Sequence, residues 1–304
     1  MVLKIFKTAV CPALMFFMFI AYGVSTAFGQ DSAFSASQSE KIDAILLLDS
    51  SGSMLMTDPK RLTDEGAKLF IQSLGEGDRI GVIEFADRAK VVHDLSDYNS
   101  NQEKIIFDKI AGIKNTGLYT DLLSGIKLAK EVLKSKGRPD ASQVIVLFSD
   151  GKMEPDPAVA TEVGRTKEMF DTYLPELKSL EIKVHTLAFS DLSDQDMLAQ
   201  IAASTDGISM FTPDADLIHQ SFTSLFLAVK KPQVLPLTSK GFKIDADVQE
   251  ATFYINREGA TAVTITSPGG RRLREGFSDQ NTKWFRSQKF DVVTISEPEA
   301  GEWL

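Results

Sequence analysis

The 304-residue chain has almost no cysteine, and this absence excludes several kinds of chemistry. Its one cysteine, Cys11, lies in an apolar N-terminal stretch, too early and after the wrong residues for a lipoprotein acylation site. Once that stretch is cleaved, the protein can form no disulfide, use no catalytic cysteine and bind no zinc through cysteine. A disulfide-free exported protein of this size is more typical of a bacterial periplasm or cell surface than of an animal extracellular module.

Sequence motifs for phosphate transfer, serine hydrolysis and nucleic-acid binding are also missing. Segment 75–77, Gly-Glu-Gly, lacks the following Gly-Lys-Ser or Gly-Lys-Thr of a phosphate-binding loop, and no G-x-S-x-G turn occurs. The formal net charge of −9 and the lack of a basic stripe argue against affinity for nucleic acid or anionic membranes. The three histidines, His93, His185 and His219, form no metal-spaced pair, so we assign them structural or surface roles.

Residues 1–29 have the pattern of a secretory signal peptide. Lys4 and Lys7 precede a mostly apolar stretch, and small residues stand at the −3 and −1 positions before Gln30. The alternative is an uncleaved membrane anchor, because the stretch is near the length that spans a bilayer. Pro12 and the polar residues near its end weaken a spanning helix and favour cleavage. The protein is therefore expected to be exported.

Between residues 42 and 231 the chain alternates between short apolar runs and helical patterns. A flexible Ser- and Gln-rich lead-in, 30–41, is predicted before them. Strands are predicted at 44–48, 79–85, 90–93, 144–148, 182–189 and 208–211, and helices at 62–74, 101–111, 121–136, 169–180, 194–203 and 214–230. This alternation predicts an α/β domain with a doubly wound, mostly parallel sheet covered by helices on both sides, a three-layer Rossmann-like arrangement.

The pattern changes after Pro232, from helical spacing to short β-type runs. Residues 234–304 contain such runs at 251–255, 262–266 and 291–295, with a Pro-Gly-Gly turn at 268–270. They predict a small antiparallel, β-sandwich-like domain. Glu302 to Leu304 read like the start of a strand, so we expect either truncation there or continuation into more β structure, with a C-terminal membrane anchor as one form of it.

The most informative segment joins an apolar run to a short polar loop. Residues 44–48 read as a buried parallel strand, and Asp49, Ser51 and Ser53 follow it directly. Such residues emerge at the carboxyl edge of the sheet, where open α/β folds bind ligands. A carboxylate and two hydroxyls are hard oxygen donors, which suit a hard cation such as Mg²⁺.

Two later segments add polar residues at comparable places. Thr120 stands just before a helical pattern, where an ordinary N-terminal cap is the simplest interpretation. Asp150 follows the apolar run 144–148, where an ordinary strand-to-loop turn is the simplest interpretation. Three such edges in succession, offering Asp-Ser-Ser, Thr and Asp, are harder to explain by capping and turns alone.

This arrangement resembles the von Willebrand factor type A (VWA) domain and its metal-ion-dependent adhesion site. The resemblance extends over about residues 43–231 and implies a metal site made of Asp49, Ser51, Ser53, Thr120 and Asp150. It implies that the serines, and in some states the threonine, contact the ion directly and that the acids often act through water. An acidic group of a protein partner would fill the open position.

The ligand chemistry and two departures from the family pattern refine this expectation. Oxygen-only ligands with neutral hydroxyls favour Mg²⁺, and Mn²⁺ or Ca²⁺ are alternatives. Tyr119 stands where a glycine is usual, and Ser149 stands where a threonine is common; neither removes a ligand.

The apolar residues beside the serines allow two interpretations. Met54, Leu55 and Met56 either pack under the loop or form an exposed, adaptable rim for a protein ligand. Met153 and Glu154 would contribute to the same rim, and Glu154 is also a candidate to cap the ion.

We therefore expect a non-catalytic, exported binding or adhesion module that holds Mg²⁺ and captures an acidic residue of a protein partner. The alternative is a structural or assembly subunit of a cell-envelope complex, with residues 234–304 making the main contacts. A metal-dependent hydrolase is disfavoured because no general base is evident beside the ligands. No nucleic-acid partner is expected, and a membrane would be reached only through an uncleaved N-terminus or a further C-terminal anchor.

Overall fold

The computed structural model describes residues 41–213, 215–230, 241–246, 248, 250–256, 262–275, 277, 279–286 and 290–304. The predicted signal peptide, almost all of the lead-in and the side chain of His219 lie outside the described residues. The described chain falls into two compact units, one within Ser39–Gln233 and one within Val234–Leu304. None of the helices described here is both long and apolar enough to cross a bilayer.

A six-stranded sheet forms the centre of the larger unit. In chain order its strands are β1 (Ile42–Asp49), β2 (Arg79–Phe85), β3 (Ala89–Asp97), β4 (Ser142–Phe148), β5 (Lys183–Ala188) and β6 (Ser209–Phe211). Their order in the sheet is β3-β2-β1-β4-β5-β6, and only the edge strand β3 runs antiparallel to its neighbour. The prediction of a mostly parallel sheet is confirmed. Every residue of β1 is buried, as expected for a central strand covered on both faces.

Helices cover both faces of this sheet. They are α1 (Met54–Thr57), α2 (Leu62–Gln72), α3 (Glu103–Ala111), α4 (Leu122–Lys136), α5 (Glu162–Glu168), α6 (Leu174–Ser179), α7 (Gln195–Ser204) and α8 (Ala215–Lys230). A 3₁₀ turn at Ser100–Gln102 precedes α3, and a π-helical segment at Met169–Tyr173 joins α5 to α6. The sequence predicted α5, the π-helical segment and α6 only in part, as a single helix at 169–180.

Alternate residues of the strands supply two apolar layers. On one face, Ile45 and Leu147 belong to a cluster with buried residues of α4, α6 and α7. On the other face, Phe148 stacks on Phe222 of α8 with ring centroids 5.8 Å apart. The strand periodicity of two therefore sends successive side chains of β4 into different helix layers.

The smaller unit consists of short antiparallel strands, as predicted for residues 234–304. They are β7 (Phe242–Ile244), β8 (Glu250–Asn256), β9 (Thr264–Thr266), β10 (Arg272–Arg274), β11 (Thr282–Arg286), β12 (Phe290–Ser296) and β13 (Gly301–Trp303). The described strands pair as β11-β12-β8, β10-β9 and β13-β7. Ile255, Val293 and Trp303 are among the residues of its apolar core. The strands β7, β10 and β11 had no separate signal in the sequence, since they are short or flanked by charged residues.

His185 is a buried, neutral residue of the larger unit. It lies in β5 and is 2% exposed. Its Nδ1 accepts a hydrogen bond from the backbone N–H of Ile208 at 3.3 Å, and its Nε2 has no partner among the described residues. Burial, aided by the positive charge of Lys183, lowers the pKa of His185 to about 4. The histidine therefore has a structural role, as predicted, and the folded chain favours its neutral form.

We expect acid to weaken the fold through this residue. An unfolded histidine has a pKa of about 6.5, so below that pH the unfolded chain binds a proton that the folded chain does not. The contribution of neutral His185 is complete above pH 6.5 and is lost as the pH falls towards 4; between pH 7 and pH 5 we expect a loss of about 2 kcal/mol. Urea unfolding of the metal-free protein at pH 7 and at pH 5, compared with that of His185→Val, measures this loss of unfolding free energy. An equal pH dependence in the variant would contradict this assignment.

Candidate metal centre

Asp49 and the two serines after it form a tight loop at the end of β1. The Asp49 carboxylate accepts the backbone N–H of Ser51 at Oδ1, 2.9 Å away, and the hydroxyl of Ser149 at Oδ2, 2.6 Å away. The hydroxyls of Ser51 and Ser53 are 3.0 Å apart. Asp49 and Ser51 are each 2% exposed, whereas Ser53 is half-buried. The loop thus places two hydroxyl oxygens side by side at the carboxyl edge of the sheet.

Asp150 belongs to the loop that follows β4, the strand beside β1. It is 1% exposed, and its Oδ2 accepts the hydroxyl of Thr57 at 3.3 Å. The Thr57 hydroxyl also lies 3.1 Å from the backbone oxygen of Ser53. Gly151 has a φ of 81°, which lets the chain turn directly after Asp150. Thr57 thus connects the serine loop to Asp150. The sequence did not reveal it, since α1 spans a single turn and shows no periodic pattern.

Thr120 is held by backbone pairing to the loop that carries Asp150. Its N–H donates to the oxygen of Glu154 at 2.7 Å, and the N–H of Glu154 donates back at 2.9 Å. Thr120 is 2% exposed. The next residue, Asp121, caps α4 by accepting the backbone N–H of Ser124 at 3.0 Å. Capping is therefore done by Asp121, and the side chain of Thr120 is not needed for it.

Gly117 ties the Thr120 loop to the serine loop. The N–H of Gly52 donates to the oxygen of Gly117 at 2.8 Å, and the N–H of Gly117 donates to Ser50 at 3.1 Å. A Cβ atom on Gly117 would lie 2.2 Å from the Cβ of Ala86, so a side chain has no room at this crossing. All five residues singled out by sequence therefore lie on three loops that hydrogen bonds join to one another.

The electrostatics of the loops are unfavourable without a cation. Asp49 and Asp150 are both buried, and neither forms an ion pair within the described part of the chain. Burial, together with the nearby charge of Asp150, raises the pKa of Asp49 to about 7. Two carboxylates that share a buried position repel each other, and a bound cation would remove both the repulsion and the cost of burial.

The donor set fits a hard divalent cation. It offers two carboxylates and three hydroxyls, all oxygen donors. No group of three or more His, Cys, Asp or Glu side chains suited to a metal occurs among the residues that the structure describes. A cation at this edge would thus depend on the hydroxyls of Ser51, Ser53 and Thr120 as much as on the acids.

Some of the apolar residues beside the serines pack under the loops, and others form an exposed rim. Met54 and Met153 are 1% and 3% exposed and pack under the loops. Leu55 and Met56 are 63% and 75% exposed and point outward as a rim would. Leu118, which the sequence analysis did not single out, is 84% exposed on the loop before Thr120. Burial of Met54 anchors the turn that leaves its two neighbours in solvent.

The family model of the von Willebrand factor type A domain matches residues 43–224. Calcium-activated chloride channel regulator 1 of Mus musculus is 28% identical over 170 residues, which cover 56% of this chain and 17% of the relative. An uncharacterized protein of Synechocystis sp. is 31% identical over 187 residues, covering 61% of this chain and 41% of that protein. The chain thus spans less than half the length of these relatives.

Among solved structures, a von Willebrand factor type A protein from Catenulispora acidiphila has a TM-score of 0.50. It is 16% identical and covers 86% of this chain, which in turn covers 59% of that structure. At this identity the similarity concerns the fold.

Proposed function

Since the chain belongs to the von Willebrand factor type A domain family, we propose that it is a non-catalytic binding module that captures a protein partner through a divalent cation. Asp49, Ser51, Ser53, Thr120 and Asp150 would hold the cation, and Mg²⁺ is the proposed ion, with Mn²⁺ and Ca²⁺ as alternatives. The partner would contribute a carboxylate from an aspartate or a glutamate.

One observation carries this proposal: two buried carboxylates, which form no ion pair with any residue that the structure describes, lie on the same loops as neighbouring hydroxyls. Burying an uncompensated charge is costly, and proteins normally compensate it with an opposite charge or a metal. The three hydroxyls are neutral, so as ligands they would leave the cation able to attract a further anion. When bound, the cation supplies that attraction.

Different residues of the chain hold different proposed metal ligands in position. Ser149 and the N–H of Ser51 orient the Asp49 carboxylate, and Thr57 orients that of Asp150. The backbone bridge to Glu154 fixes the Thr120 loop independently of any ion. Because the loops are joined by hydrogen bonds, little ordering is needed when the ion and the partner bind.

Export is part of the proposal and rests on the signal-peptide pattern of residues 1–29. A protein in the periplasm or at the cell surface of a bacterium would meet millimolar divalent cations and partner proteins of the envelope. The alternative role, an assembly subunit that works mainly through residues 234–304, makes the opposite prediction about the metal residues: their substitution would leave assembly unchanged.

The test is calorimetric titration of Mg²⁺, Mn²⁺ and Ca²⁺ into the protein and into Asp49→Ala. We expect one divalent ion to bind per chain and the variant to lose affinity by about 100-fold or more, since it removes a buried charge that faces the ion. The matched control is Asp191→Ala, which makes the same charge change on an exposed loop residue at this edge of the sheet and should leave affinity within about twofold.

Circular dichroism of both variants checks that the fold is retained. Equal binding by wild type and Asp49→Ala would contradict the assignment of the metal residues. An absence of binding in wild type would remove the proposed cation and favour the role of residues 234–304.

A further inference from the structure

The exposed apolar side chains of the larger unit are not spread evenly. Among its described residues, most of the large ones that face solvent lie on the single turn α1, on loops or at strand ends at the carboxyl edge of the sheet; they include Leu55, Met56, Leu118, Val159, Leu192 and Phe211. Single exposed apolar residues are ordinary, but a concentration on one edge marks an interaction surface. This is the edge that carries Asp49, Ser51 and Asp150.

Three of these residues flank the serine loop directly, and we call them the collar: Leu55, Met56 and Leu118. They are 63%, 75% and 84% exposed. Leu55 and Met56 follow Ser53 on α1, and Leu118 follows Gly117, which is hydrogen-bonded to Ser50 and Gly52. The collar residues therefore belong to the same crossing of loops as the hydroxyls of Ser51 and Ser53.

The two sides of the site differ in charge. The loops that carry the collar, 50–61 and 112–119, hold exposed Lys60 and Lys114. Their one acid, Asp58, is buried and accepts the backbone N–H groups of Leu62 and Thr63 at the start of α2. Exposed Asp87 lies here too, since its Oδ1 accepts the backbone N–H of Tyr119 at 2.6 Å, so the collar side carries charges of both signs.

The opposite side is mainly acidic and would repel an acidic segment. The loops that follow β4 and β5 carry exposed acids, among them Glu154, Asp191 and Asp194, and one basic residue, the half-buried Lys152. A segment with many carboxylates could not lie across the whole edge without facing these acids. A single carboxylate with apolar neighbours meets no such repulsion.

Building on the proposed function, we propose that the partner presents one aspartate or glutamate flanked by large apolar residues, which pack on the collar while the carboxylate reaches the cation. Met56 is suited to this contact because its unbranched side chain adapts to different apolar shapes. The collar would then set partner specificity, whereas the cation supplies an attraction common to any carboxylate.

The experiment uses the full chain, saturated with Mg²⁺, and three labelled peptides: Gly-Leu-Glu-Leu-Gly, Gly-Ser-Glu-Ser-Gly and Gly-Leu-Gln-Leu-Gly. Binding is followed by NMR titration. We expect the Leu-Glu-Leu peptide to bind about tenfold more tightly than the Ser-Glu-Ser peptide, since two leucines lose contact with water on the collar. The Gln peptide should bind no better than the Ser-Glu-Ser peptide, and a chelator should release both Glu peptides.

Two variants separate the collar from the metal site. The double variant Met56→Gln/Leu118→Gln should bind the Leu-Glu-Leu peptide only as well as the Ser-Glu-Ser peptide, with unchanged Mg²⁺ affinity by calorimetry. The matched control is Val163→Gln, which replaces another exposed apolar residue, 77% exposed on α5, and should change nothing.

The outcomes distinguish this inference from the proposed function. Equal, chelator-sensitive binding of both Glu peptides would overturn the role of the collar and leave the metal-dependent function standing. Mg²⁺ binding without any effect of a Glu peptide would overturn both. Equal binding of the Gln and Glu peptides with leucine flanks would mean that the collar acts without the cation, which contradicts the proposed partner.

Discussion

Replacing Lys230 with methionine is expected to lower the free energy of unfolding by about 3 kcal/mol or more, one of the largest effects of any single substitution in this chain. Lys230 is the last residue of α8 and is 4% exposed. Its Nζ lies 2.6 Å and 2.5 Å from the two carboxylate oxygens of Asp78, which is fully buried. The variant leaves that carboxylate without its cation.

Asp78 also holds two other parts of the larger unit. Its Oδ1 accepts the backbone N–H of Ile42, where β1 begins, and its Oδ2 accepts that of Gly75, after α2. The pair therefore joins α8, β1 and the turn before β2 at the edge opposite the candidate metal centre. Loss of Lys230 should loosen the end of α8 while leaving the metal residues in place.

Urea unfolding followed by circular dichroism measures the effect. The control is Lys104→Met, which breaks an ion pair with Asp108 whose side chains are 84% and 67% exposed and should cost less than about 0.5 kcal/mol. Adding Asp78→Asn to Lys230→Met removes the unpaired charge, so the double variant should be more stable than Lys230→Met alone. Equal costs for the buried and the exposed pair would contradict this account.

The second large effect is expected where α8 crosses α2. Phe222 of α8 is 4% exposed and stacks on Phe148, and a Cβ atom built on Gly66 of α2 would lie 2.3 Å from its ring. Phe222→Ala should cost about 3–5 kcal/mol, because it leaves a cavity between the helices and the sheet. Gly66→Ala should cost about 1–2 kcal/mol, because the ring must move to admit a methyl group.

When the two substitutions are combined, the effect of Gly66→Ala on the free energy of unfolding is expected to change sign. In the Phe222→Ala background the ring is gone, so Gly66→Ala should stabilise by up to about 1 kcal/mol, since alanine favours the helix more than glycine does. A double-mutant cycle of unfolding free energies measures this coupling. If the costs of Phe222→Ala and Gly66→Ala simply add, the ring of Phe222 is not the reason why position 66 requires a glycine.

Both sets of substitutions are expected to change the stability of the fold, and for Lys230→Met we expect no change in metal binding. The metal residues and the collar lie at the carboxyl edge of the sheet, whereas Lys230 and Asp78 lie at the other edge. Because distant sites usually contribute independently, we expect Lys230→Met to leave Mg²⁺ affinity near that of wild type. Metal titration of this variant thus separates loss of stability from loss of binding.

Much of the fold could be predicted from the sequence because its signals are local. The run 44–48 is apolar at every position, which in a segment of that length indicates a central parallel strand, and the structure buries it completely. The change of pattern after Pro232 similarly predicted antiparallel β structure in residues 234–304. The predicted helix boundaries were wrong where the backbone departs from a regular period, as at the π-helical segment Met169–Tyr173.

For the candidate site, the residue types and their order along the chain are local features of the sequence, whereas the contacts that hold them come from the packing of separate loops. The order Asp49-Ser51-Ser53, Thr120 and Asp150 is visible in one dimension because each follows or precedes a recognisable element. The contact of Thr57 with Asp150 spans 93 positions, and Ser149 meets Asp49 across 100. Side-chain contacts between separate loops leave no periodic trace in a single sequence.

The exposure of the apolar residues beside the serines likewise depends on how the loops pack. Met54, Leu55 and Met56 are adjacent and equally apolar, and nothing in their order tells which one is buried. The single turn of α1 directs Met54 inward and its two neighbours outward, and the pairing of Gly117 with the serine loop brings Leu118 to the same place. The residue types were fixed by the sequence, but the surface that they form depends on loop packing, because burial is a property of the whole fold.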